Sequence, residues 1–134
     1  MASRSLDDLA PRVRAAALAF EGECTRRGID VLIYCTLRSN AEQTALYAQG
    51  RTAPGRIVTC ARAGQSLHNP DTSGHAWAFD AVPVIGGKAM WADDDAINIM
   101  GAAGEAVGLE WAGRWAGKFK ERAHFQMKGG IYER

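Results

Sequence analysis

Residues 66–84 read SLHNPDTSGHAWAFDAVPV, and the second half of that stretch decides the fold. From His75 to Val84 the chain is rich in aromatic and β-branched residues, which reads as a strand. Ala76, Ala78, Asp80 and Val82 share one face of it, and Trp77, Phe79 and Ala81 the other. His68 in the first half and His75 at the head of the second, two of the chain's three histidines, flank the turn-forming residues PDTSG (70–74). After the strand, IGGK (85–88) is a Gly-Gly hairpin signal leading into KAMW.

Outward from this strand, helical and extended patterns fall in separate blocks. Leu6, Leu9, Val13, Ala17, Phe20 and Cys24 recur at steps of three and four, one face of an amphipathic helix. Pro11 is tolerated only in the first turn, so the regular helix is predicted to begin around Asp8 to Ala10 and to end at Gly28. DVLIYCT (30–36) reads as a buried strand. Ser39 and Glu42 have capping-box spacing for a second helix through Ala48, closed by Gly50. Residues 51–69 read as loop, with a short strand at IVTCA (57–61). Asp93 to Asp95 offer an N-cap for a third helix running to about Val107, and Gly108 stops it. LEWAGRW and AHFQM add two short strands. The predicted class is α+β: a single small domain with an antiparallel sheet flanked by helices.

The chain has 134 residues, 47% hydrophobic and 23% charged, with a formal net charge of +1. That balance excludes a strongly electrostatic binder of nucleic acid or membranes. Arg51, Arg56 and Arg62 make one loop locally basic, a pattern that is more often solvated surface than a binding site. Three widely spaced cysteines, Cys24, Cys35 and Cys60, read as reduced thiols packed among apolar neighbours. The N-terminus, MASRSLDDLAP, has no apolar signal region, so a cytoplasmic chain is expected. Trp77, Trp91, Trp111 and Trp115 are expected in the core or along a cleft wall.

A catalytic zinc takes three ligands from His, Asp or Glu, keeps a position for water, and works beside a carboxylate base. This chain offers a His, an Asp in a strand, and ERAHF, in which Glu121 precedes His124 by three. Alone, that Glu-x-x-His spacing is more often a surface pair. Taken together, S-x-H (66–68), A-x-D (78–80) and E-x-x-H-F-Q (121–126) resemble the M15 family of zinc peptidases. That family includes D-Ala-D-Ala dipeptidases and carboxypeptidases and the phage L-alanyl-D-glutamate endolysins. Residues 36–69 are similar to the L-alanyl-D-glutamate branch, with its R-x4-Q-x2-LY core and GRT-x-PG loop. FDAVPVIGGKAMW, GLEWAGRW and AHFQ are similar to its second half, so the likeness spans about residues 15 to 128.

The resemblance implies a Hedgehog/DD-peptidase-like fold, a Zn²⁺ cofactor and bacterial peptidoglycan as partner. The implied reaction is hydrolysis of the L-Ala-D-Glu bond of wall stem peptides, with lysis as its outcome. His68, Asp80 and His124 match the metal ligands, and Glu121 the catalytic carboxylate. Arg38 matches an arginine that holds substrate or polarises the scissile carbonyl, with a plain helix-entry role as the alternative. Ser66 matches a serine that orients substrate or the loop, and Gln43 and Tyr47 support the second helix. A monomeric endolysin is implied, with one peptidase domain over residues 1–134 and no separate wall-binding domain. It would accumulate in the host cytoplasm and act on the wall after release. D-Ala-D-Ala carboxypeptidase action, cleavage of another stem-peptide or cross-bridge bond, and a non-catalytic zinc-containing binding module stay open as alternatives. A binding module has no need of Glu121.

One departure from the family pattern lies in the quoted stretch. The usual motif, S-x-H-x-x-G-x-A-x-D, separates its histidine and aspartate by seven positions, whereas His68 and Asp80 are twelve apart. Five extra residues, PDTSG, then form a loop. The competing histidine, His75, lies five before Asp80 and would point to the opposite face of a strand. His68 is therefore the expected ligand, and His75 a loop or rim residue within possible reach of substrate.

Overall fold

The computed structural model describes residues 2–128. Its helices are α1 (Pro11–Arg26), α2 (Asn40–Ala48) and α3 (Asp94–Ala106), and its strands are β1 (Asp30–Cys35), β2 (Ala78–Ile85), β3 (Lys88–Ala89), β4 (Leu109–Trp111) and β5 (His124–Met127). The strands form one antiparallel sheet in the order β1-β2-β5-β4, with β3 paired to β2 through the hairpin at Gly86 and Gly87. Both hairpin glycines have positive φ, +58° and +77°, which favours glycine at each. The α+β architecture read from the sequence is the one observed.

The two faces of β2 and β5 divide the molecule. Phe79 and Phe125 are paired across these strands and stacked at 5.5 Å, and Phe20 of α1 packs on both at 5.3 and 4.8 Å. All three are fully buried, as are Val13, Ala17 and Cys24 on the same stripe of α1. α3 closes the same core. A Cβ added to Gly104 would overlap the Phe125 ring, and one on Gly101 the Trp111 indole. Each glycine costs about 1 kcal/mol of helix propensity, and in return the helix axis comes close to the sheet.

Several local readings shift in detail. α1 begins at Pro11, and Leu6–Asp8 form a separate 3₁₀ turn, leaving Leu9 to bridge Ala76 instead. α2 has the full capping box between Ser39 and Glu42. The strand expected at 57–61 is absent: the segment is an irregular, largely exposed loop with no partner strand. Gln43 and Arg51 hold this loop instead, by donating to the carbonyls of Ala61 and Thr59. For the same reason Cys60 is exposed, against the expectation that all three thiols are packed away. Cys24 is buried, and burial pushes its thiol up to about 12. β4 stops at Trp111 because Ala112–Arg114 turn into a 3₁₀ helix. Among the described residues no helix is long and apolar enough to cross a membrane.

Candidate metal and catalytic site

The opposite face of the sheet floors an open cleft of about 810 Å³, walled by the loop around residues 57–67 and by the segment from Trp115 to Glu121. Strand register assembles its floor. Asp80 on β2 is paired with His124 on β5. His68 arrives from the loop, and its position is fixed twice by the segment that follows β1: its Nδ1 lies 2.8 Å from the Thr36 carbonyl, and its own carbonyl accepts from the Arg38 N–H at 2.8 Å. Leu67 C=O and Trp77 N–H, 2.8 Å apart, close the neck of the intervening loop. His68 and Asp80 therefore meet although twelve residues separate them.

The geometry around Asp80 suits a cation. His68 Nε2 lies 3.1 Å and His124 Nδ1 3.3 Å from Asp80 Oδ1. Donation by His68 Nδ1 to Thr36 leaves Nε2 to face the carboxylate. The partner 2.9 Å from His124 Nε2 is Gln126 Oε1, so that nitrogen carries the proton and Nδ1 is bare. His124 Nδ1 is indeed buried without a hydrogen-bond partner, with Asp80 at 3.3 Å and Glu121 Oε2 at 3.7 Å. Lone pairs pointed at one another in a buried place require a positive charge between them. Burial opposes a charge on His68, but the Asp80 carboxylate outweighs it and raises the imidazole to about 10. Burial would raise Asp80 too, yet the charge on His68 holds its carboxyl well below the usual carboxylate range. A divalent ion would take the place of that proton. The donor set of two imidazole nitrogens and a carboxylate oxygen fits zinc.

The other sequence-predicted residues surround this centre. Glu121 projects from the cleft edge with its side chain 53% exposed, close enough to the centre to serve as a base. Arg38 is directed inward by Gln43, whose Oε1 accepts from Nη1 at 3.0 Å, and its Nη2 lies 4.0 Å from Asp80 Oδ2. Ser66 lines the cleft and also caps the turn, accepting from the His68 N–H at 3.2 Å. Of the four tryptophans only Trp115 reaches the cleft, tilted against His124 at 5.8 Å, whereas Trp77 and Trp111 are core and Trp91 is 62% exposed. Tyr47 is clasped by Arg51 and Arg62, which absorbs two of the three basic-loop arginines.

His75 is not at the centre. None of residues 70–77 lines the cleft. Asp71 knots that loop: its Oδ1 accepts from the N–H groups of Ser73 and His75, and its Oδ2 from Trp77 Nε1 at 2.7 Å. Two residues have roles that the sequence reading did not assign. Asn69, fully buried, ties the backbone of Gly64 and Ser66 to the Arg38 carbonyl. Cys35, paired with Asp80 from the other side, places Sγ 3.7 Å from His68 Nδ1.

Fold and cleft together define a small α+β domain whose open cleft gathers His68, Asp80 and His124, with Glu121 at its edge. No family model matches the chain. It is 36% identical over 130 residues to the peptidoglycan L-alanyl-D-glutamate endopeptidase CwlK of Bacillus subtilis, covering 90% of this chain and 74% of that protein. The chain belongs to the M15 family of zinc peptidases. Two crystal structures share its fold. The L-Ala D-Glu endopeptidase ChiX of Serratia marcescens aligns with a TM-score of 0.59 at 18% identity, over 96% of this chain and 89% of that one. DacB of Streptococcus pneumoniae aligns with a TM-score of 0.62 at 20% identity, over 99% and 77%.

Proposed function

We propose that the protein is a zinc-dependent peptidoglycan hydrolase that cleaves the L-Ala-D-Glu bond of bacterial stem peptides. The observation that carries this reading is the unpartnered, buried His124 Nδ1 aimed at Asp80 and Glu121, in a chain 36% identical to CwlK. His68 Nε2, Asp80 and His124 Nδ1 would hold the metal. Zinc there would supply Lewis acidity to the scissile carbonyl and to the attacking water. Glu121 takes the proton from that water as it attacks and returns it to the departing amine. Arg38, held by Gln43, presents its guanidinium to the developing oxyanion or to a substrate carboxylate. Ser66 fixes the turn that carries His68 and offers its hydroxyl to the peptide lying in the cleft. Trp115 and the exposed Ile57, Val58 and Phe119 give that cleft apolar walls.

The same reading makes the protein a phage-type endolysin, monomeric, that gathers in the host cytoplasm and meets the wall after release. Its near-neutral charge supports a partner other than nucleic acid or a membrane surface. Purified wall digested with the protein, with Glu121→Ala as control, decides the bond. New N-terminal D-Glu in the released muropeptides is the expected product. Any other new terminus overturns the assignment, and equal digestion by the control overturns the role of Glu121.

A further inference from the structure

Asp80 has a strand neighbour on either side. β5 sets His124 opposite it, and β1 sets Cys35 opposite it, so both side chains share its face of the sheet. Cys35 is buried at 5% exposure, with Sγ 3.7 Å from His68 Nδ1 and 3.6 Å from Arg38 Nη2. Sγ, a nitrogen of His68 and an oxygen of Asp80 all lie within 4.8 Å of one another. The thiol thus mirrors His124 across the same carboxylate.

We propose that the centre has a second ligand set, Cys35, His68 and Asp80, which holds thiophilic divalent cations such as Cd²⁺. The proposal rests on the metal-centre reading above. As the ion binds, the S–H bond breaks, its proton leaves to solvent and a metal–sulfur bond forms with no change in oxidation state. Thiolate is softer than imidazole or carboxylate, so this set gains on the His68–Asp80–His124 set as the ion becomes softer. Arg38 donates toward the sulfur and offsets the negative charge brought into a buried place. Glu121 stands on the His124 side, so an ion drawn toward Cys35 moves away from the base. Cadmium then occupies the centre without supporting hydrolysis.

The test uses the full chain carrying Cys60→Ser, which removes the exposed thiol, stripped of metal and titrated with Cd²⁺ alone or Zn²⁺ alone. One equivalent of Cd²⁺ is expected to produce sulfur-to-metal charge-transfer absorption in the ultraviolet, and adding His124→Ala should leave the band in place. Adding Cys35→Ser should abolish it and weaken Cd²⁺ binding about tenfold or more against a competing chelator, while Zn²⁺ affinity changes by less than about threefold. Absence of the band, or equal Cd²⁺ affinity with and without the thiol, overturns the proposal and leaves the zinc reading standing. Failure to bind either ion overturns both. If Cys35→Ser does not fold, the cadmium NMR shift of the background protein decides: a thiolate ligand moves it far downfield, and a shift typical of nitrogen and oxygen ligands overturns the second set.

Discussion

Strands β2 and β5 carry two different molecules on their two faces. On one, Phe79 and Phe125 stack against Phe20 in a core closed to water. On the other, the adjacent residues Asp80 and His124 face each other with mismatched lone pairs. The first face is satisfied by contact and the second is left needing a cation. Because residues adjacent in a strand point to opposite faces, one backbone ladder holds the stable face and the reactive one in rigid register.

That contrast can be broken from either side. The largest effect is expected from His68→Ala, which should abolish zinc binding in equilibrium dialysis and reduce wall hydrolysis to background. Zinc bound as tightly as before would show that the reactive face is assembled otherwise. Glu121→Ala should retain zinc and lose about 10²–10⁴-fold in kcat, the usual contribution of a positioned general base. Phe125→Ala attacks the stable face and should cost about 3–5 kcal/mol in denaturant unfolding, with zinc stoichiometry in the folded fraction unchanged.

A smaller effect concerns protons. Metal-free His68 is raised to about 10, so zinc binding at neutral pH should release about one proton. Calorimetry in two buffers of different ionisation enthalpy measures it, and zero release would show a neutral imidazole. The sign for stability follows. In the metal-free protein the contribution of His68 is complete below its ordinary value of 6.5 and is lost as pH rises through about 10. The contribution of Asp80 is present above its ordinary value of 3.8 and fades as pH falls through its lowered one. The smallest effect is assigned to His75→Ala, which should leave zinc affinity within about twofold because its ring lies outside the cleft. A larger loss would return the choice between the two histidines to doubt.

Much of this was legible in the sequence because it rests on local rules. The capping box at Ser39, the hairpin glycines and the alternation through Phe79 and Asp80 each depend on neighbours a few residues away. The candidate site residues came from the resemblance, and the structure brings His68, Asp80, His124, Glu121 and Arg38 to one cleft. Strand register was not legible. Period-two alternation places Cys35 with Ile33 on the core face, but a bulge at Tyr34 shifts the pairing from Ile33–Ala81 to Cys35–Asp80 and turns the thiol toward the cleft. The loop at 57–61 misled for the opposite reason: its β-branched residues have strand propensity, but they pair with no strand of the sheet. The bridging role of Asn69 was unreadable because it joins segments that only the fold brings together.

The neck between Leu67 and Trp77 has an engineering consequence. Below it, His68 is fastened to the segment that follows β1; beyond it, Ala76 exchanges hydrogen bonds with Asp8 and Ala10. Residues 70–74 therefore hang from two anchored points and close on themselves through Asp71. Chain length in that bud is decoupled from the spacing of the ligands, which makes its exposed tip at Thr72–Gly74 a port where foreign sequence, such as a wall-targeting peptide, can be grafted without disturbing the cleft.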